Sequence, residues 1–279
     1  MTELFLILIF GKITIMHSGI PPIYQVIDSL LYVWNPYGEL YIVDPIKDTY
    51  KKADFPDVRR RYVLSRNGKH YFYNKKLKKI LILDARGKRS LQLSKNMIYG
   101  DNFRIFGRNI YFILYGDSMM FEVLNTDNDS LWFFLKRDAE DSIISTFSIN
   151  KDGIFIYNPI TGKLKVYSLS GVKIREFAIP EPDSGMWGLF KDGASVIYYG
   201  GVAEIVSLDD GRILVSCFQY RDRKSIWPRT FLISLPDSRI LKTFDGVVFL
   251  AGKIQNFLIY LSFKRKNWGI EIWKEKLSN

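Results

Sequence analysis

An internal repeat of about forty residues constrains this chain more than any other feature, because short similar units must stack on one another to bury their apolar faces. The clearest copy runs from Phe147 to Phe177, where four apolar runs are separated by Lys151-Asp-Gly, Asn158-Pro-Ile-Thr-Gly and Ser170-Gly. These are turn-forming combinations, so the segment predicts four antiparallel strands in a meander, denoted a to d. The same grammar recurs in Leu31-Tyr-Val-Trp-Asn-Pro-Tyr-Gly before Leu40-Tyr-Ile-Val-Asp-Pro, and in Arg66-Asn-Gly-Lys-His-Tyr-Phe-Tyr-Asn before Ile80-Leu-Ile-Leu-Asp. Further copies centre on Ile110-Tyr-Phe-Ile-Leu-Tyr, on Asp210-Gly-Arg-Ile-Leu-Val-Ser, and on Phe257-Leu-Ile-Tyr-Leu-Ser-Phe before Gly269-Ile-Glu-Ile-Trp.

With strand b beginning at Leu31, Tyr71, Ile110, Ile154, Ile213 and Phe257, the spacings are 40, 39, 44, 59 and 44, which makes six units. The long interval carries its excess around Asp183 to Gly200, read either as an inserted hairpin or as an irregular seventh unit. Six is preferred. The b strands are apolar at nearly every position, as in Ile154-Phe-Ile-Tyr, and therefore need cover on both faces. Stacked blades supply that cover, so the expected fold is all-β: a six-bladed β-propeller of four-stranded antiparallel blades, with seven blades as the alternative. Composition agrees, with 20 Phe, 17 Tyr and 6 Trp favouring pleated surfaces over helices. No Pro/Ser/Gly-rich linker interrupts the chain, so residues 1–279 are read as a single domain. The last unit lacks a d strand after Trp273 while an apolar run, Leu4 to Phe10, precedes the first unit; the N-terminal strand is expected to complete the sixth blade.

The segment Lys151-Asp-Gly-Ile-Phe-Ile-Tyr-Asn with Leu164-Lys-Val-Tyr-Ser-Leu-Ser-Gly-Val-Lys-Ile-Arg-Glu-Phe resembles the NHL and YWTD class of six-bladed propeller repeats. The likeness covers one blade well and the other five loosely, and both the Tyr-Trp-Thr-Asp tetrad and the Asn-His-Leu signature are absent. It implies a six-bladed fold and, among its relatives, scaffolds, peptide and RNA binders, lactonases and glycosidases. No subfamily or activity follows from it.

Cofactor and catalytic chemistry find little to work with. Cys217 is the only cysteine, which rules out an internal disulfide or a cysteine cage, and His17 and His70 are the only histidines. No cofactor or metal is expected. The Leu4–Phe10 run lacks a basic leader and a small-residue cleavage site and is too short to span a bilayer, so neither an export signal nor a transmembrane segment is read, and a cytoplasmic location is slightly favoured. Oligomeric state is left open. The Asp-Gly and Asn-Gly pairs at Asn67, Asp152, Asp192 and Asp210 are read as turn formers, and Tyr157 as core.

Charge is the informative property. The chain carries +11, with an isoelectric point near 9.5, and so favours anionic partners. Three presumptive b–c loops hold most of that excess: Lys75 to Lys79, Arg221 to Arg229, and Lys264 to Trp268, with eleven Lys or Arg against one Asp. Arg59-Arg-Arg adds to them in a d–a stretch. In this topology b–c and d–a loops share one end of every blade. Lys75, Lys76, Arg221, Arg223, Lys224, Trp227, Arg229, Arg265 and Trp268 are therefore the candidate ligand-binding residues, cations for phosphate or carboxylate and rings for flat groups. The expected function is a non-catalytic binding or scaffold propeller engaging an anionic polymer or an acidic protein surface. The first alternative is a lactonase- or glycosidase-like hydrolase using Asp138, Glu140, Asp141, Glu181 and Asp183 in two d–a loops. The second is a purely protein-interaction module.

Overall fold

The computed structural model describes residues 8–9, 23–34, 39–53, 61–95, 97–115, 118–138, 146–158, 162–179, 187–189, 196–198, 201–208, 211–222, 225–245, 249–264 and 269–276. Among them there is no helix, and therefore none long and apolar enough to cross a membrane. A short strand β1 (Leu8–Ile9) precedes blade 1, which is β2 (Ile23–Ile27), β3 (Leu30–Trp34), β4 (Leu40–Asp44) and β5 (Thr49–Ala53). Blade 2 is β6 (Arg61–Arg66), β7 (Lys69–Asn74), β8 (Lys79–Asp84) and β9 (Gly87–Gln92). Blade 3 is β10 (Ile98–Phe106), β11 (Asn109–Tyr115), β12 (Met119–Asn125) and β13 (Leu131–Lys136). Blade 4 is β14 (Thr146–Asn150), β15 (Gly153–Asn158), β16 (Lys163–Tyr167) and β17 (Lys173–Ala178). A separate hairpin follows, β18 (Trp187–Leu189) with β19 (Val196–Tyr198). Blade 5 is β20 (Gly201–Ser207), β21 (Arg212–Asp222), β22 (Ser225–Ser234) and β23 (Ile240–Asp245). The chain ends with β24 (Phe249–Ile254), β25 (Phe257–Lys264) and β26 (Gly269–Lys276).

Within blades 1 to 5 strand order follows the chain, and the sixth sheet is β1-β26-β25-β24. This is the six-bladed β-propeller. Each of the six residues taken to begin or open strand b lies in a second strand, and the 59-residue interval holds a two-stranded hairpin instead of a seventh blade. β1 pairs antiparallel with β26, Leu8 opposite Lys274 and Ile9 opposite Trp273, so the N-terminal strand completes blade 6.

The chain divides into two compact units, one of residues 1–137, 253–259 and 263–279, the other of 138–252 and 260–262. In the first, Trp34, Tyr71, Tyr73, Ile80, Ile82, Phe103, Phe112, Leu114 and Leu124 form one buried cluster drawn from blades 1 to 3. In the second, Phe155, Tyr157, Leu164, Val166, Ile213, Val215 and Ile233 do the same for blades 4 and 5. Side chains alternate across a strand, so an all-buried run such as Ile110–Leu114 or Gly153–Asn158 shows that both sheet faces are covered.

Turn chemistry fixes the blade outlines. Asn67 and Gly68 have φ of 51° and 70°, the pair of left-handed residues that a two-residue hairpin needs. Gly153 has φ of 145°, and a Cβ there would stand 2.3 Å from the Tyr167 carbonyl oxygen, so only glycine fits between β15 and β16. One hydrogen bond recurs where the chain leaves strand d: Leu93 N–H donates to Lys78 O (2.9 Å), Arg137 N–H to Ser118 O (2.6 Å) and Ile179 N–H to Gly162 O (3.5 Å). It ties the start of these three d–a loops to the b–c turns of their own blades. At the opposite end Thr126 N–H donates to Arg108 O (2.8 Å) and Leu235 N–H to Gly211 O (2.9 Å), tying the exit of strand c to the a–b turn.

Two contacts within the first unit reach further along the chain. The Gln25 carboxamide on β2 donates to Ile105 O (2.7 Å) and accepts from Ile105 N–H (2.9 Å) on β10, acting as one extra rung of backbone pairing between the inner strands of blades 1 and 3. Lys274 on β26 donates to Pro45 O (3.2 Å) and lies 3.6 Å from Asp48, joining blade 6 to the c–d turn of blade 1. Gln25→Ala is expected to leave both Ile105 groups without that partner and to cost about 1–3 kcal/mol of stability, measured by urea unfolding. Deleting residues 1–16 removes the partner of β26 and exposes its edge. Loss of soluble protein or a sharply lower Tm is expected, and unchanged melting would show that β1 adds nothing to the sixth blade.

Candidate anion-binding site

The basic segment of blade 2 is built on a tight b–c turn. Asn74 ends β7 and its Oδ1 accepts Leu77 N–H (2.9 Å), while Lys78 N–H donates back to Lys75 O (3.1 Å) with Lys78 at φ 49°. Asparagine favours this geometry because its side chain can stand in for a backbone acceptor. Lys78 is consumed by the turn: its Nζ donates to Lys95 O and to Met97 O (2.6 Å), and its carbonyl also accepts from Gln92 Nε2 (2.8 Å). The other cations of the segment, Lys75, Lys76 and Lys79, are exposed.

Beside that turn lies an open depression of about 340 Å³ lined by Asn74, Leu77, Lys79, Leu81, Lys88, Arg89 and Ser90. Asn74 pairs with Lys79, Leu81 with Ser90, and Leu83 with Lys88, so these residues share one face of the outer part of blade 2. The lining holds no carboxylate. Two lysines, a hydroxyl and an amide around a small apolar floor suit an anion with an apolar or flat portion.

Arg89 belongs to the opposite face, opposite Ile82, and is already engaged. Its guanidinium donates to Asp84 and to Asp129. Asp129, in the c–d turn of blade 3 at φ 60°, also takes Lys69 Nζ (3.1 Å) and the Tyr71 hydroxyl (3.1 Å). Tyr71 is fully buried and shares its one hydroxyl proton between Asp129 and Thr126 O (2.7 Å), while Lys69 Nζ donates to Thr126 O (3.3 Å) and Asp127 O (3.1 Å). Burial pushes the Tyr71 phenol well above its ordinary value, and the Asp129 charge adds to the rise. For Asp129 burial acts upward, but the bonds from Arg89, Lys69 and Tyr71 prevail and hold the carboxyl below the usual aspartate range. Both the charge and the burial of this cluster serve the joint between blades 2 and 3. Sequence reading missed it because its members lie up to 60 residues apart and no spacing marks them.

Blade 5 departs from expectation. The stretch Arg221 to Arg229 was expected to be a loop, but β21 continues through Asp222 and β22 starts at Ser225. Arg221 is therefore a strand residue, Trp227 pairs with Gln219, and Arg229 pairs with Cys217. The physical reason is that backbone pairing runs on past the apolar core, with Pro228, which has no N–H to donate, accommodated opposite Phe218. Arg223 and Lys224, like Arg265 and Trp268, lie outside the described residues. Lys75 and Lys76 belong to the first compact unit and the β21–β22 hairpin to the second.

Of the five carboxylates of the acidic alternative, Asp138 is described. Asp138 lies 3.4 Å from Lys165 Nζ, whose side chain is 1% exposed on β16, so its carboxylate neutralises a buried lysine. Glu140, Asp141, Glu181 and Asp183 lie outside the described residues. Among the described residues no three His, Cys, Asp or Glu side chains come together as metal ligands.

The fold places the chain among six-bladed β-propellers, with a basic turn and a carboxylate-free depression on blade 2 as its candidate site. No family model matches it, and no curated protein does. Its likeness to solved structures runs over almost the whole chain. A member of the DUF4221 family from Bacteroides vulgatus aligns with a TM-score of 0.60 and 8% identity over 98% of this chain and 97% of that one. A luciferin-regenerating enzyme aligns at 0.56 and 12% over 97% and 95%. Virginiamycin B lyase from Staphylococcus aureus aligns at 0.55 and 11% over 96% and 99%. At such identities the likeness shows the fold alone.

Asp129→Asn tests the titratable cluster. The folded carboxyl is held below its unfolded value, so its contribution is complete above the ordinary aspartate range near 3.8 and fades as pH falls through the depressed folded value. The variant is expected to be less stable by roughly 3 kcal/mol at neutral pH, with Lys69 and Arg89 left facing an amide. Its stability should also fall less steeply on acidification, as read from urea midpoints between pH 7 and the acid limb.

Proposed function

We propose that this chain is a non-catalytic binding propeller that engages an anionic partner through its basic b–c turns. The observation that carries the reading is the division of labour on blade 2: Lys78 holds the turn, while Lys75 and Lys76 are exposed beside a depression to which Lys79 and Lys88 contribute charge and no residue contributes a carboxylate. The chain's net charge of +11 favours the same class of partner. Arg221, Arg223, Lys224, Trp227, Arg229, Arg265 and Trp268 are proposed as further binding residues, cations for anionic groups and tryptophans for stacking on flat ones. An anionic polymer or an acidic protein surface satisfies this chemistry, and a single small anion would use only part of it.

The test is a titration against single-stranded nucleic acid, heparin and a neutral glycan at two salt concentrations. The two polyanions should bind in preference to the glycan, with affinity falling steeply as salt rises because each neutralised phosphate releases counterions. Lys76→Glu with Lys79→Glu should weaken binding and lower the logarithmic salt slope by roughly 1.4 on a single strand. Trp227→Ala should cost about 1–3 kcal/mol if bases stack there. Melting should stay unchanged in the lysine variant, since exposed charges contribute little to stability. Equal binding of the neutral glycan, or indifference to the charge reversals, would remove the proposal.

A further inference from the structure

Each blade ends in an outer strand with one free edge, and free edges invite pairing with another chain unless charges interrupt them. Five outer strands have described side chains. β5 carries Lys51 and Lys52, β9 carries Lys88 and Arg89, β17 carries Lys173, Arg175 and Glu176, and β23 carries Lys242 and Asp245. β13 reads Leu131-Trp-Phe-Phe-Leu-Lys, and its only charge is its last residue. Successive side chains face opposite sides, and Trp132 and Phe133 are 37% and 41% exposed, so apolar surface is presented on both sides of this edge. Phe134 instead meets the Tyr111 ring edge-on at 6.2 Å, and Leu135 turns into the interior at φ 62°. The open edge is therefore Leu131–Phe134.

We propose that two copies of this chain associate by antiparallel pairing of this edge with itself. The order of charges around the strand selects the occupant and the direction. Asp127 precedes the strand and Lys136 follows it, while Asp129 is committed to Lys69, Tyr71 and Arg89 and Arg137 to Leu114 O. An antiparallel copy lays Lys136 of each strand beside the turn that carries the partly exposed Asp127 of the other, whereas a parallel copy would bring like charges together. Asp127 already pairs with Arg108 at 2.8 Å, yet its side chain remains 35% exposed at the rim where the incoming lysine would arrive. With the dyad between Trp132 and Phe133, each Trp132 stands opposite the Phe133 of the other copy and each Leu131 opposite a Phe134. Aromatic and apolar cross-strand pairs of this kind are favourable in antiparallel sheets.

Sedimentation velocity on the full chain tests this directly, with the mass expected to move from monomer to dimer as concentration rises. Phe133→Lys places a charge in the middle of the edge and should hold the protein monomeric with unchanged melting. Lys136→Glu leaves the apolar edge intact and should weaken dimerisation about fivefold or more through the lost rim contacts. Direction is read separately in a Cys217→Ser background. Opposed residues on antiparallel strands lie within disulfide reach, so mixed Trp132→Cys and Phe133→Cys proteins should oxidise to the heterodimer faster than either does alone. A protein that stays monomeric at every soluble concentration overturns the proposal. So does a dimer that Phe133→Lys leaves intact, which would place the contact elsewhere, or a monomer that captures only unrelated apolar strands.

Discussion

Middle strands such as β11 and β15 are apolar and buried on both faces, and this constraint governs the rest of the structure. Ile110 to Leu114 and Gly153 to Asn158 are buried throughout, so each needs a neighbouring sheet on either side. Burying one such side chain is worth roughly 1.5–3 kcal/mol, and β11 alone has five in succession. A four-stranded sheet by itself would leave half of that surface in water. Repetition of the unit is thus a physical requirement, and completion of the last sheet by β1 accords with it, since without β1 the backbone groups along that edge of β26 would lose their partner.

Polar groups that enter these packed layers are bound up with the connections between strands. Lys165 lies in mid-strand with a 1% exposed side chain and takes Asp138 from the d–a loop before its blade. Glu122, at the corresponding position of blade 3, accepts Ser94 N–H (3.3 Å) from the loop before that blade. Ser216 and Thr230 satisfy one another at 2.9 Å on paired strands of blade 5. A buried polar atom without a partner costs more than the hydrogen bond itself would contribute, so Lys165 and Glu122 each select one loop position and Ser216 and Thr230 select one another. Gln25 applies the same logic between inner strands, replacing a rung of backbone pairing with a side-chain amide.

This division explains what could be read in the sequence. Period-2 and all-apolar runs, together with Asn67-Gly, Asp152-Gly and the spacing of strand b, carried the six blades, because these signals are local and each residue reports its own environment. Closure by the N-terminal strand was legible as a surplus run at one end and a missing one at the other. Failures came where a residue's environment is set by a distant one. Arg221 and Trp227 sit among charges and a proline and so read as loop, yet they continue a ladder begun at Arg212 and Ser234. Lys165 lies in Lys163-Leu-Lys165-Val, an alternation that reads as exposed, and only the loop carboxylate 27 residues away reveals its burial. Asp129 looks like any turn aspartate until Lys69, Tyr71 and Arg89 arrive from the preceding blade.

The same reasoning separates the cations that build the protein from those that remain for a partner, which net charge alone cannot do. Lys69, Lys78, Arg89, Lys165 and Lys274 each reach a carboxylate or a row of carbonyl oxygens, and removing any of them would leave a polar group of the scaffold unsatisfied. Their positive charge is largely spent within the molecule. Lys76 and Lys79 lie at the surface of a turn whose shape is already secured by Asn74 and Lys78, so their charge is not needed to hold it. A residue that contributes little to the fold can be exchanged at little cost in stability, whereas its neighbour in the same run of lysines cannot. The run Lys75-Lys-Leu-Lys-Lys thus contains a structural lysine, Lys78, beside surface lysines such as Lys76 and Lys79 that the turn does not use, and adjacent identical residues in one run differ in what they do for the fold.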